Sequence, residues 1–374
     1  MTILICIPCL LTGGTEIQTQ NLVQALVRGG HRVVTVCYFE YSEEMKTRFR
    51  EIGSEVVCLS ATGTRIGGWR GIIFLYKGLR KAVRQYRPEV VHVQYMAPGA
   101  IPILLLRLLG VHQIIATVHT MADIYPNLKQ VHFVQQYCVR AFTCITECAE
   151  RSFFGSSQLY TESTPIKRRN HFTIYNTLPA QFPLRSERRH YGQRITLGVV
   201  SRLEKIKGMD LVVPAFARVR VKYPEVRLIV VGDGSLREAM QEQAQEFGCT
   251  DRIEWVGQQS QSQLPIWYGR MDIVLMPSRS EGFGLTAIEA MANGCVVVAS
   301  RTGGLQEVVR DRVVGLLHES GSIDDMVEKI ILLIANHSLL QQYSTAAMRY
   351  VKRYSFEQYS KLFNDLYKRV ILLK

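Results

Sequence analysis

The chain has 374 residues, 47% hydrophobic and 21% charged, which excludes a disordered or low-complexity polymer and allows two domains with separate cores. Its net charge is +13, yet no zinc-finger, RNA-recognition or helix-turn-helix pattern accompanies the charge, so nucleic acid is not an expected partner. The longest apolar run, Ile101 to Val111, is too short to span a bilayer and contains Arg107.

Met1-Thr2 leads directly into a strand-like run without a basic leader, so no signal peptide is expected. Nine cysteines, an odd number mostly set in apolar runs, read as thiols of a reducing compartment, and the expected location is cytoplasmic. Cys6 and Cys9 form a CxxC spacing, but Cys6 lies within a strand and no helix opens directly after it, so neither a redox nor a zinc role is expected. Cys138, Cys144 and Cys148 read as core thiols.

In chain order, Ile3 to Pro8 reads as a buried strand and Leu11 to Glu16 as a glycine loop containing Gly13 and Gly14. A helix follows with Leu22, Val23, Leu26 and Val27 on its apolar face; Gly29-Gly30 ends it and His31 to Tyr38 is the next strand. This is the opening βαβ of a doubly wound sheet. The three-glycine dinucleotide fingerprint is absent, which argues against a nicotinamide cofactor.

Residues 1–176 carry 19 Lys and Arg against 11 Asp and Glu, so the first half is the more basic. Within it, residues 69–87 place Ile72, Leu75, Leu79 and Val83 on one helical face and Lys77, Arg80, Lys81 and Arg84 on another, with Trp69 and Phe74 near the start. Two readings stand: a solvated helix covering a sheet, or a helix attached to an anionic membrane on the inner face. Farther on, Gln113 to Val118 reads as a strand with His119 at its carboxyl end, where ligands gather in open parallel sheets. A lone histidine is more often structural than catalytic.

Phe172 to Pro179 reads as the interdomain linker, followed by a basic polar connection from Arg185 to Arg194. Ile195 to Val200 opens a second series of strands, and the loop Ser201 to Gly208 presents Arg202 and Lys207 at a strand's carboxyl end. Two such cations can stabilise the developing charge of a diphosphate. No Asp-x-Asp pair occurs, so no divalent metal is implied. Ile253 to Gly257 reads as another strand.

The most informative stretch runs from Pro277 to Val309. Met271 to Met276 is an apolar run of strand length; Gly282 and Gly284 flank Phe283 in a polar loop; Leu285, Ile288, Glu289 and Ala292 then recur at helical spacing, and Asn293-Gly294 supplies a stop. Glu281 and Glu289 bracket the uncapped N–H groups of about Phe283 to Thr286. A helix start favours an anion, and carboxylates accept from hydroxyls, so the layout suits phosphates in the middle and hydroxyl-bearing rings at both ends. Dipole compensation by a first-turn Glu is the plainer account of either acid alone.

The string Glu281-Gly282-Phe283-Gly284 with Glu289, followed by Gly303-Gly304 and Glu307-Val308-Val309, resembles the signature of retaining GT-B glycosyltransferases of family 4. Arg202-Leu203 with Lys207-Gly208 resembles the family's phosphate clamp, with Ser201 replacing its usual glycine, and Gly13-Gly14 resembles its donor-facing loop. Asn176-Thr177-Leu178 departs from the Asn-Gly pair usual at the hinge. The resemblance implies an α/β GT-B fold of two Rossmann-like doubly wound domains facing across a cleft. Its parts would be an acceptor-side domain over residues 1–176, a nucleotide-sugar domain over 177–353, and a helix over 354–374 crossing back to the first.

It also implies roles. His119, Arg202, Lys207 and Glu281 would be the catalytic set. Gly13, Gly14, Val256, Gly257, Gly282, Phe283, Gly284, Leu285, Thr286 and Glu289 would bind substrate, with Glu289 on the ribose and Val256-Gly257 near the base. The reaction would be metal-independent transfer, with retention, from a nucleoside-diphosphate sugar to a glycan, lipid-linked or small-molecule hydroxyl, with no cofactor beyond the donor itself. A GT-B sugar-nucleotide epimerase, a pyridoxal-phosphate-dependent sugar phosphorylase and a non-catalytic nucleotide-sugar or membrane-binding module are the alternatives.

Overall fold

The computed structural model describes all residues except 96–98, 126, 167–168, 186–191, 193 and 374. The chain divides into two compact units: Met1–Ala180 with Phe356–Lys374, and Gln181–Ser355. Most of the basic connection expected between Arg185 and Arg194 lies outside the described residues.

In the first unit, seven short runs rich in Val, Ile and other apolar residues form a wholly parallel sheet: β1 Thr2–Ile7, β2 Arg32–Cys37, β3 Glu55–Cys58, β4 Val90–Tyr95, β5 Ile114–Val118, β6 Ala141–Cys144 and β7 His171–Thr173. Their order is β3-β2-β1-β4-β5-β6-β7. Strands buried on both faces need no polar alternation, which is why β1, β4 and β5 read as nearly continuous apolar runs. Winding reverses between β1 and β4, the place where such sheets collect ligands.

Helices cover both faces. Leu75, Leu79 and Ile103 pack on one, and Leu22, Leu26, Phe363 and Leu366 on the other. Helix Phe356–Leu372 belongs to this unit because Phe356, Tyr359, Phe363, Leu366, Tyr367 and Val370 form one buried stripe at helical spacing. Each such burial contributes about 1.5–3 kcal/mol. Polar contacts set its register: Asn364 Nδ2 donates to Ala25 O (3.1 Å), and the Tyr367 hydroxyl meets His92 Nδ1 (2.6 Å). Burial pushes the His92 imidazole down to about 3, so it is a neutral, structural histidine.

Three expectations are corrected here. Gly13 is extended and caps a helix running Gly14–Arg28, so Thr15 and Glu16 are helical rather than loop. In helix Gly68–Tyr86 the buried side is Gly71, Leu75, Leu79 and Ala82, while Ile72 is exposed. Phe172 and Thr173 lie in β7, and the Gln18 side chain donates to Thr177 O (2.8 Å) and accepts from its N–H (3.1 Å). The segment expected to be a linker is therefore anchored inside the first unit.

The second unit repeats the scheme with β8 Thr196–Val200, β9 Arg227–Val231, β10 Ile253–Gly257, β11 Ile273–Met276, β12 Val296–Ser300 and β13 Gly315–His318. Its parallel order is β10-β9-β8-β11-β12-β13, with the reversal between β8 and β11. The loops leaving those two strands are Ser201–Gly208 and Pro277–Gly284, the two that carry the predicted cations and the first predicted acid.

Candidate active site

Past β8, residues Lys205–Lys207 make a single 3₁₀ turn closed by Gly208, whose φ is 68°. A Cβ on Gly208 would lie 2.0 Å from the Pro277 carbonyl oxygen, so the turn presses directly on the loop after β11. Arg279 reinforces that contact. Its N–H donates to Ile206 O (2.9 Å) and its guanidinium makes a bidentate pair with Asp210 at 2.6 and 2.8 Å.

This brings together two predicted residues that are 74 positions apart. Lys207 Nζ donates to Glu281 Oε2 at 2.7 Å, with the two side chains 21% and 16% exposed. The cation expected to meet a diphosphate and the acid expected to meet a sugar thus hold one another. Arg202, at the same strand end, is exposed, and its charge acts on the nearby Glu204 carboxylate.

The loop carrying Glu281 is fastened through its backbone carbonyls. The Gly304 N–H donates to Glu281 O (2.9 Å), Ser300 Oγ donates to Ser278 O, and Thr302 Oγ1 donates to Arg279 O (3.1 Å). A Cβ would lie 2.1 Å from Glu281 O at Gly303 and 2.3 Å from Gly282 O at Gly304. Side chains at 303 and 304 would therefore drive the acidic loop off its seat.

Gly284, at φ 101°, caps helix Leu285–Ala292 without a side-chain hydrogen bond. The uncapped first turn, Leu285 and Thr286 included, offers N–H groups and a positive dipole end. The Thr286 hydroxyl is spent on Val200 O (3.2 Å). The Phe283 side chain is 2% exposed and packs edge-on to Tyr354 at 5.5 Å, so it can offer a ligand only backbone.

Glu289, one turn on, is 7% exposed, and the buried Tyr268 hydroxyl donates to its Oε2 at 2.8 Å. Burial pushes this carboxyl up to about 7, against the pull of hydrogen bonds from Tyr268 and Gln261. At the end of β10, Gly257 O accepts from Gly232 N–H (2.8 Å) and Val256 O from Gln259 Nε2 (3.5 Å), so part of that backbone is already engaged.

The remaining predicted residues belong to the first unit. Gly13-Gly14 opens the first helix beside the buried Glu16, whose Oε1 accepts from the Cys9 thiol (3.2 Å). His119 follows β5 directly, and its Nε2 lies 2.6 Å from Gln94 Oε1. Burial holds its imidazole down at about 4. Sequence reasoning missed Gln94, although a glutamine in the strand run VVHVQY was a visible irregularity.

Among the described residues, no group of three or more His, Cys, Asp or Glu side chains is placed to hold a metal. A pocket of about 780 Å³ lined by Arg84, Arg87, Glu89 and His112 opens at the amino end of β4, the edge of the sheet away from His119, and takes no part in this constellation.

Two parallel, doubly wound sheets in one chain, with cations, acids and an uncapped helix start at the strand ends, define the GT-B class of architecture. Residues 13–151 match the glycosyl transferase 4-like domain and residues 181–350 match the glycosyl transferases group 1 domain. A D-inositol 3-phosphate glycosyltransferase of Segniliparus rotundus is 36% identical over 162 residues, which are 42% of this chain and 36% of that protein; the chain spans about a third of that relative's length. An uncharacterised glycosyltransferase of Methanocaldococcus jannaschii is 24% identical over 350 residues, 92% of each chain. Among solved structures, HepE of Anabaena in complex with UDP superposes with a TM-score of 0.78 over 99% of this chain and 100% of that one, at 17% identity. The chain belongs to the group 1, family 4-like glycosyltransferases of GT-B fold.

Among the described residues, no helix is long and apolar enough to cross a membrane. Helix Gly68–Tyr86 nevertheless exposes Trp69 (67%), Ile72 and Ile73 at its start and Lys77, Arg80, Lys81 and Arg84 beyond.

Proposed function

We propose that the protein moves a glycosyl group, with retention, from a nucleoside-diphosphate sugar to a hydroxyl of a glycan, lipid-linked or small-molecule acceptor. The observation that carries this reading is the Lys207–Glu281 pair at the strand ends. In that half-buried pair each partner satisfies the other, and a donor could replace both. Its diphosphate would draw Lys207 and Arg202, and the released Glu281 would accept from sugar hydroxyls. The first turn after Gly284, assisted by Gly13-Gly14, would meet phosphate oxygens, and Glu289 the ribose. The second unit would hold the donor, the first the acceptor. Curated glycosyltransferase relatives and a neighbour that binds UDP support a donor of this class.

The chemistry would be front-face displacement. The bond from the anomeric carbon to the phosphate oxygen breaks, the acceptor oxygen bonds on the same face, and the acceptor's proton passes to the leaving phosphate. Catalysis then lies in charge stabilisation and positioning, with the cations doing what a metal does elsewhere and no cofactor besides the donor. The exposed apolar start and basic flank of helix Gly68–Tyr86 would seat the enzyme on an anionic cytoplasmic membrane face, where a lipid-linked acceptor lies.

Lys207→Ala tests the clamp: turnover should drop ~100-fold or more with the fold intact, the scale of losing one charge-stabilising donor, and unchanged turnover would reject it. A thermal-shift panel of UDP-, GDP- and ADP-linked sugars identifies the donor, since a ligand of the native state raises its melting temperature.

A further inference from the structure

The charge surplus of the first half of the chain sits in one stretch. Residues 65–140 hold ten Lys and Arg against two acids, Glu89 and Asp123, while the rest of residues 1–176 hold nine of each sign. Three helices of that stretch, Gly68–Tyr86, Ala100–Leu108 and Leu128–Phe133, cover one face of the first sheet through Leu79, Ile103 and Val131. Their outward sides carry Lys77, Arg80, Lys81 and Arg84 together with exposed Leu104, Leu108 and Phe133. Among the described residues the ion pair of this stretch is Arg65 with Glu40 (3.2 Å), so Arg84 and Arg87 have no ion-pair partner. A surface of one sign attracts an anionic partner.

Where this face reaches the amino ends of β4 and β5, the cavity of about 780 Å³ opens between the last turn of helix Gly68–Tyr86 and the turn Leu109–Gln113. Arg87 closes that helix at φ 45° and ψ 59°, a left-handed position that glycine usually takes, and the chain keeps a guanidinium there. Arg107 Nη1 lies 2.6 Å from His112 Nδ1. A guanidinium has only hydrogens to give, so Nδ1 accepts and Nε2 carries the proton of the ring. Arg84, Arg87 and His112 therefore line the cavity as donors. Two acceptors line it as well. Glu89 Oε1 takes the Thr2 N–H (3.0 Å), and Gln113 Oε1 has no donor among the described residues, although the amide of Gln113 is satisfied by Leu373 O (3.0 Å).

That lining selects a kind of ligand. Two guanidiniums against one carboxylate leave a single positive charge, which complements a phosphodiester better than a phosphate monoester, whose charge is nearly double. Guanidinium forks match phosphate oxygens, and the two acceptors match hydroxyls. Leu108, 74% exposed, adjoins the rim through Leu109, so the same ligand meets apolar surface.

We propose that this pocket seats the headgroup of an anionic phospholipid of the glycerol type, with Arg84 and Arg87 on the phosphodiester and Glu89 and Gln113 on the headgroup hydroxyls. It rests on the membrane seat of the reading above, which it localises, and not on glycosyl transfer.

The test is flotation of the full chain with vesicles of phosphatidylglycerol and phosphatidylcholine. Arg84→Gln with Arg87→Gln is compared with Lys77→Gln and Lys81→Gln, which remove the same charge from the same basic face outside the pocket. Both pairs should weaken partition, the pocket pair about tenfold further, the scale of losing charge-assisted hydrogen bonds to the headgroup. In spectra of labelled histidine, assigned with His112→Gln, glycerophosphoglycerol, the deacylated headgroup, should shift the His112 ring signals more than inorganic phosphate does. Equal loss from the two pairs overturns the pocket and leaves only general attraction to the bilayer. Equal shifts from inorganic phosphate overturn the lipid source. Should the unaltered chain ignore the vesicles, the membrane seat and the pocket fall together, while calorimetric binding of nucleotide-sugars still decides the transferase reading.

Discussion

The strand ends of the two units are built differently. In the second, besides side-chain bonds from Arg279, Ser300 and Thr302, loops lie on one another with only hydrogens between them: Gly208 against Pro277, Gly303 against Glu281, Gly304 against Gly282. In the first, side chains do the holding, with Gln94 on His119, Glu16 on Cys9 and Gln18 on Thr177. Backbone contact of the first kind tolerates no Cβ, whereas side-chain contact of the second kind can change partners by rotation. The second unit is therefore suited to present a fixed anion seat, and the first to adapt to different rings.

The largest effect should come from breaking the backbone seat. Gly303→Ala adds a methyl 2.1 Å from Glu281 O at a residue whose φ is 45°. Overpacking and left-handed strain together should cost about 3 kcal/mol, read from the urea midpoint, and displace Glu281 enough to abolish turnover.

Next is Glu281→Gln, which keeps the loop but releases Lys207. Turnover should fall ~100-fold, while calorimetric affinity for UDP stays equal or rises because Lys207 no longer has an anionic partner. Weaker UDP binding would show that the pair is structural rather than exchangeable.

Glu289 sharpens the contrast through pH. Its folded carboxyl is raised from an ordinary 4.5 to about 7, so the folded state holds a proton that the unfolded chain has lost between those values. Its stabilising contribution is therefore complete below 4.5 and lost as pH rises through about 7. Nucleotide binding that needs the ionised acid should run the other way and strengthen, by about tenfold, through the same window. Glu289→Gln should flatten both curves in parallel thermal and calorimetric titrations; a surviving slope would assign it to another group.

The smallest effect is the control. Gly30 also has positive φ, 79°, but nothing lies within 4 Å of its absent Cβ. Gly30→Ala should cost about 1 kcal/mol of backbone strain with no change in turnover.

Much of the fold could be read directly. The apolar runs of β1, β5, β8 and β11 and the stop at Asn293-Gly294 follow from local periodicity and turn chemistry, which need no distant partner. The exposure of Ile72 could not, because helical spacing marks a face without saying whether a neighbour covers it. Nor could the anchoring of Thr177, since its partner Gln18 lies 159 residues away. The buried orientation of Phe283 depends on Tyr354, which no reading of its own loop contains.

For the site the division is similar. Residue types and spacings from Glu281 to Glu289 led to the expectation of a phosphate-and-hydroxyl site, because backbone conformation and helix polarity are local properties of the chain. That Lys207 pairs with Glu281, that Tyr268 engages Glu289, and that Gln94 meets His119 were decided only by folding. Each is a hydrogen bond between side chains from different elements, and what an ionisable group does depends on the partner and the burial that only the packed sheets supply.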